Sequence, residues 1–183
     1  MSNIKVLGIC GSLRHNSTNM TLLKYAKEHA PEGMKIEIAD LSEVPFYNAD
    51  IKEKPLAVKT LLKQVGEADA ILFACPEYNY SLAPALKNAL DWASRETDNV
   101  LLAGKSAAIM GSGGGMGTSR AQYHLRQVCV FLDLRPLNKP EVFCNAFAGS
   151  FDNDGKLVDE KVKSDISKLL SSFKGCIAEN KSL

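Results

Sequence analysis

Short, dense apolar runs and stretches of helical spacing take turns along this chain. Lys5 to Ile9 is apolar almost without break, as in a central strand covered on both faces. Thr18 to His29 has helical spacing through Met20, Leu23, Ala26 and Lys27, and Pro31-Glu32-Gly33 stops it. Met34 to Ala39 alternates, which predicts a strand near the sheet edge. Leu41 to Asp50 reads as an irregular loop with Pro45, Phe46, Tyr47 and Asn48. Pro55 to Glu67 follows as a helix, with Pro55 suited to its first turn. Ala70 to Cys75 is a third strand, ended by Pro76, and Ala83 to Arg95 a helix with Leu86, Leu90, Trp92 and Ala93 inward. Lys105 to Met110 is the fourth strand, Gly111 to Gly117 a flexible loop and Ser119 to Leu132 a helix. A short strand near Arg135 to Val142, a loop from Phe143 to Gly155 and a helix from Asp159 to Ile177 complete the pattern.

Such alternation predicts an α/β doubly wound parallel sheet with right-handed crossovers. Ligands in these sheets bind outside the carboxyl ends of the strands. The loops after strands 1, 3 and 4 should therefore meet at one site. With no linker or repeat in view, residues 1–183 read as one domain, and 45% hydrophobic content is enough for its core.

Charge narrows the partners. Lys and Arg number 22 against 21 Asp and Glu, so no global field recruits nucleic acid or a membrane surface. The apolar runs are of strand length, which predicts no membrane insertion. The first strand begins within three residues of Met1, leaving no room for a signal peptide. Five cysteines, at 10, 75, 129, 144 and 176, show no CxxC spacing. Free thiols in a reducing cytoplasm are the expectation, and neither they nor the three histidines suggest a metal site.

The candidate chemistry lies in the loops. Gly11-Ser-Leu-Arg-His-Asn-Ser-Thr-Asn19 is rich in donors, contains no carboxylate and leads into a helix, which suits an anion such as phosphate. Ser12, Ser17, Thr18 and Asn19 supply polar side chains, and Arg14 can grip phosphate oxygens. Plain helix capping would explain the short side chains but not Arg14. No GxxxxGK[ST] is present, so this is not a triphosphate loop. Cys10 and Arg14 are separated by three residues, whereas a CxxxxxR phosphatase loop needs five between them. Pro76-Glu77-Tyr78-Asn79-Tyr80 offers rings for stacking and an amide for pairing with a flat heteroaromatic ligand, or is an ordinary turn. Ser112, Gly113 and Gly114 would form a permissive wall. On the third helix, Lys87, Asn88, Asp91 and Arg95 read as an ion-paired outer face; Arg120, Gln122, Tyr123 and Arg126 read as facing solvent or a subunit partner. No nucleophile-histidine-acid set and no carboxylate pair is evident in the loops, which points to a cofactor that carries its own chemistry.

The segments Gly11 to Asn19, Pro76 to Ser81 and Leu86 to Arg95 together resemble the NADPH-dependent FMN reductase family, in the subgroup of quinone and chromate reductases. The resemblance spans roughly residues 4 to 175; it departs at His15, where a lysine is common, and in the last helix, which carries no signature. It implies a flavodoxin-like three-layer sandwich with five parallel strands in the order 2-1-3-4-5. It also implies bound FMN, with phosphate on Ser12, Arg14, Ser17 and Asn19, Thr18 and Met20 also in the cofactor site, and ring against Pro76 to Tyr80 and Ser112 to Gly114. The implied activity is a ping-pong transfer from NADPH or NADH to a small-molecule electron acceptor: a quinone, flavin, azo compound or chromate-type anion. No catalytic side chain is needed, and a homodimer or homotetramer is implied. A flavodoxin-like electron carrier is disfavoured by the balanced charge; a flavin-binding regulatory module is the other alternative.

Overall fold

A computed structural model describes residues 3–96 and 99–180. The first strand, β1 (Ile4–Cys10), lies between β2 (Met34–Ile38) and β3 (Ala70–Ala74), parallel to both. β3 in turn pairs in parallel with β6 (Ser106–Gly113). Beyond β6 lie two short parallel pieces, β7 (Arg135–Pro136) and β8 (Val142–Asn145). The order is therefore 2-1-3-4-5 in terms of the predicted strands, with the fifth position shared by two pieces.

Strand alternation distributes the core. Leu7, Ile9, Ile71, Phe73, Ala107 and Ile109 face the cluster that contains α2 (Leu56–Glu67), α3 (Pro84–Ser94) and α4 (Ser119–Phe131). Val6, Cys10, Leu72, Ala74, Ala108 and Met110 face the opposite cluster, with α1 (Thr18–Glu28) and α5 (Glu160–Asn180). Period-two side chains on a parallel sheet thus give the three-layer α/β/α sandwich.

Three expectations need correction. The strand read as Arg135 to Val142 is interrupted: β7 ends at Pro136, and β8 begins only at Val142. Pro136 and Pro140 cannot donate to a ladder, so pairing stops there and resumes further on. β8 includes residues 143–145, which were assigned to a loop, and it pairs Gly111, Ser112 and Gly113 with Phe143, Cys144 and Asn145. The glycine-rich loop after β6 is accordingly shorter than predicted. Finally, Gln122 on α4 is buried rather than outward; it donates to Thr118 Oγ1 (3.1 Å) and to the Val142 carbonyl (3.0 Å).

No described helix is long and apolar enough to cross a membrane. Among the described residues, no group of three or more His, Cys, Asp or Glu could hold a metal ion.

Candidate active site

The carboxyl ends of β1, β3 and β6 are neighbours, since Cys10 is in register with Ala74 and Ala74 with Met110. The loops that leave them meet at the carboxyl end of the sheet. At Gly11 a Cβ would stand 2.8 Å from Pro76 Cδ and 2.9 Å from Leu86 Cβ, so the first two loops touch through the absence of a side chain.

Ser17 caps α1, its hydroxyl accepting from the Met20 amide (3.2 Å), and the Thr21 amide donates to the Ser17 carbonyl (3.0 Å). The Thr18 and Asn19 amides, at the first turn, have no acceptor among the described residues. The first turn carries no acidic side chain. Unpaired donors and the positive end of the helix dipole make this a seat for an anion. Ser12 Oγ accepts from the Arg14 amide (3.4 Å). The Arg14 side chain is exposed and donates to the Asn16 carbonyl (2.9 Å); among the described residues it pairs with no carboxylate.

Asn19 is placed differently from its sequence-based role. It is 4% exposed, and its amide both accepts from the Ser112 N–H (2.9 Å) and donates to the Ser112 carbonyl (2.7 Å). Its side chain ties α1 to β6. Ser112 lies inside β6 with its buried Oγ unsatisfied; nearby, burial raises the Cys144 thiol, with the Ser112 and Ser150 hydroxyls acting against that rise.

The second loop is a hairpin. β4 (Glu77–Tyr78) and β5 (Ser81–Leu82) are joined by Asn79 and Tyr80, with φ of 51° and 66°. Two positive φ values suit a type I′ turn, tolerable for Asn and strained for Tyr. The Arg120 guanidinium lies 3.7 Å from the Tyr80 ring centre, a contact that helps hold the ring there. Glu77 is engaged with α4. Its carboxylate accepts from the Arg120 amide (3.1 Å), the Ala121 amide (3.2 Å) and Arg120 Nε (2.8 Å). It is thus a remote cap on α4, a role that its position in the loop did not reveal.

Gly114 and Gly115 face open space, where even a Cβ would meet nothing. Beside the first two loops lies a cleft of about 570 Å³, bordered by Gly11, Arg14 and Tyr78 and by residues of the 41–46 segment. A smaller cleft of about 290 Å³ adjoins Ser12, Arg14 and Met20. Cys10 reaches this smaller cleft, but burial pushes its thiol up and keeps it from serving as a thiolate. His124 Nδ1 lies 3.1 Å from Ser81 Oγ, and no carboxylate among the described residues bonds the imidazole to complete a triad.

A family model described as NADPH-dependent FMN reductase matches residues 4–149. The chain belongs to that family. As an NADPH-dependent FMN reductase by family, it is an oxidoreductase whose cofactor is FMN and whose donor is NAD(P)H. Its relatives include an NAD(P)H-dependent FMN reductase of Pseudomonas aeruginosa, 51% identical over 174 residues, covering 93% of this chain and 94% of that protein. The NAD(P)H:quinone oxidoreductase of Solanum tuberosum is 49% identical, covering 91% and 89%. Among solved structures, FerB, a flavoenzyme NAD(P)H:(acceptor) oxidoreductase from Paracoccus denitrificans, superposes with a TM-score of 0.87 at 29% identity, covering 97% and 98%. The site fits FMN at both ends: the open amides of the α1 first turn and the Arg14 guanidinium suit its phosphate, with Asp40 bordering the same small cleft and accepting from the Ser42 amide (2.9 Å), and the tyrosine-asparagine hairpin and the bare glycines after β6 suit its ring.

Proposed function

We propose that this protein, as one domain over residues 1–183, oxidises NADPH or NADH and reduces quinones. When bound, FMN supplies the chemistry, accepting a hydride from nicotinamide and delivering reducing equivalents to the acceptor. The observation that carries the reading is the meeting of an unpaired anion seat, an exposed tyrosine-asparagine hairpin and an apolar cleft at the carboxyl end of the sheet.

Ser12, Arg14, Ser17, Thr18, Asn19 and Met20 form the phosphate end, with the amides of the α1 first turn and the Arg14 guanidinium as the donors. The Asn19 side chain serves by bracing that turn. Pro76, Glu77, Tyr78, Asn79, Tyr80, Ser112, Gly113 and Gly114 form the ring end. Glu77 and Ser112 contribute to it through backbone and position, because their side chains are buried or engaged elsewhere. Arg14 is the charged residue bordering the larger cleft, so the protein places no acid or base there and excludes water with apolar surface instead.

The cleft is open on one side, and donor and acceptor use it in turn, which gives ping-pong kinetics. Its apolar lining favours quinones, free flavin and azo compounds, with chromate-type anions drawn only by Arg14. Exposed Tyr123, Val130 and Phe131 on α4, with Phe143 in β8 and Phe147 just after it, support a homodimer or homotetramer. The unpaired thiols support a cytoplasmic setting.

Steady-state oxidation of NADH and NADPH by FMN-loaded protein, with 1,4-benzoquinone as acceptor, tests the reading. Parallel double-reciprocal lines are expected; absence of nicotinamide oxidation with any quinone would remove it.

A further inference from the structure

One wall of the larger cleft belongs to the loop after β2, which also lends Leu41 and Ser42 to the smaller cleft beside Ser12 and Arg14. Residues 41–48 cross the end of the sheet between β2 and α2, and they present Phe46 to the cleft with 78% of its surface exposed. Leu13 and Tyr78, also exposed, border the same cleft. Three large apolar side chains left in water around one concavity are the mark of a surface that a ligand covers.

The loop is held firmly. The Pro45 carbonyl accepts from both Asn88 Nδ2 (2.9 Å) and Trp92 Nε1 (2.8 Å). Asn88 Oδ1 accepts from the Tyr47 amide (2.7 Å), so the residues on either side of Phe46 are fixed to α3. Asn88 is 8% exposed and Trp92 2% exposed, so water competes little for these bonds. The Tyr47 ring meets Trp92 edge-on at 5.0 Å, and the Arg95 guanidinium lies over the Tyr47 ring, 5.6 Å from its centre. With its neighbours anchored, Phe46 has no buried niche of its own and stands in the cleft. A ring held this way loses little freedom when a ligand stacks on it.

We propose that Phe46 is a specificity-determining residue for the electron acceptor: it packs against flat, uncharged fused-ring acceptors, and Asn88 and Trp92 position it. This rests on the oxidoreductase reading above and adds the acceptor class that the cleft selects. An apolar wall discriminates by area, so it favours a two-ring quinone over a small hydrated anion that cannot use it.

The test compares FMN-loaded wild type with Phe46→Ala and Phe46→Trp. The acceptors are 1,4-naphthoquinone and ferricyanide, the second a compact hydrated anion. The ratio of kcat/KM for naphthoquinone to that for ferricyanide should fall about tenfold in Phe46→Ala and recover in Phe46→Trp. A second readout needs no turnover. Trp92 is the only tryptophan in the sequence and lies directly behind Pro45. Its emission should be quenched saturably by 1,4-naphthoquinone, with an apparent Kd about tenfold weaker in Phe46→Ala. The proposal is overturned if both acceptors lose efficiency equally, if only the KM for NADH moves, or if the Trp92 titration is the same in wild type and Phe46→Ala. Failure of the oxidoreductase reading looks different: wild type would reduce neither acceptor, while the titration would still report whether the ring occupies the cleft.

Discussion

Asn19→Ala should destabilise the protein before any cofactor is added. The wild-type amide makes two hydrogen bonds to one buried residue, Ser112, at 2.9 Å and 2.7 Å. Truncation leaves the Ser112 N–H and carbonyl without partners in the interior. Each such orphan costs about 1–3 kcal/mol, and a water entering the vacated volume recovers part of it. A net loss of about 3 kcal/mol is the working figure from that range. For a protein of this size it corresponds to a Tm lowered by roughly 6–12 °C, or to a urea midpoint lower by about 1 M at a slope near 3 kcal/mol/M. Asn19→Asp is the companion variant. It keeps an acceptor for the Ser112 amide but sets a carboxylate against the Ser112 carbonyl, so it should be no more stable than the alanine variant.

The assay is urea denaturation of FMN-free protein, followed by far-UV circular dichroism. Cofactor-free protein is essential, because a residue whose work is to bind phosphate contributes nothing until phosphate arrives. If Asn19→Ala unfolds at the wild-type urea concentration and loses only FMN affinity, the bracing role is wrong and the sequence-based ligand role is right.

Three further expectations are sharp. Arg14→Ala should weaken FMN binding by about 1.5 kcal/mol, the low end for a charge-assisted contact because the side chain is exposed; recovery of flavin fluorescence on dissociation measures it, and an unchanged Kd removes Arg14 from the phosphate end. Asp159 accepts from the Lys161 and Val162 amides (2.9 and 3.2 Å) at the start of α5 and from Ser150 Oγ (2.9 Å), and these bonds, that from Val162 foremost, hold its carboxyl below the usual range. Its contribution is therefore complete above the unfolded carboxyl pKa of about 3.9 and is lost as pH falls through that value towards the lower folded one, so Asp159→Asn should flatten the stability curve below about pH 4, and an unaltered slope would exclude the cap. Of the thiols, only Cys176 is partly exposed, while burial pushes Cys129 up to about 12 and Cys75 higher still; DTNB should label one thiol per native chain rapidly and all five after unfolding, and rapid labelling of a second would contradict the packing.

Much of the scaffold was legible because its signals are local. Apolar runs predicted β1, β3 and the first part of β6, whose last residues, Gly111 to Gly113, read as loop, and the near-continuous character of β1 anticipated burial on both faces. β8 was missed for a reason of the same kind: Val142–Asn145 is short, follows Pro140, and becomes a strand only because β6 offers it a partner. The outer face expected on α3 was half correct. Lys87 and Asp91 do pair at 2.7 Å, but Asn88 turns inward to hold residues 45 and 47, and Arg95 lies over Tyr47. Nothing within α3 distinguishes those outcomes, since the loop that decides them lies more than 40 residues upstream.

The same limit explains the polar residues of the site. Composition shows which side chains can hydrogen-bond and not which way they turn. Asn19 in the first turn of α1, Glu77 in β4 and Ser112 near the end of β6 all lie at the carboxyl end of the sheet, and all were read as ligand-facing. In the fold, Asn19 reaches across 93 residues to Ser112, and Glu77 reaches 43 residues to the first turn of α4. Backbone amides are what these braces leave open: the Thr18 and Asn19 amides remain without acceptors while the Asn19 side chain holds their turn against β6. An anion seat made of amides has donors fixed by the frame, whereas one made of side chains must order them on binding. Bracing by Asn19 should therefore affect affinity as well as stability. In Asn19→Ala protein that is still folded, FMN should dissociate faster even though the substituted side chain touches no part of the phosphate, and an unchanged dissociation rate would show that the α1 turn holds its shape without the brace.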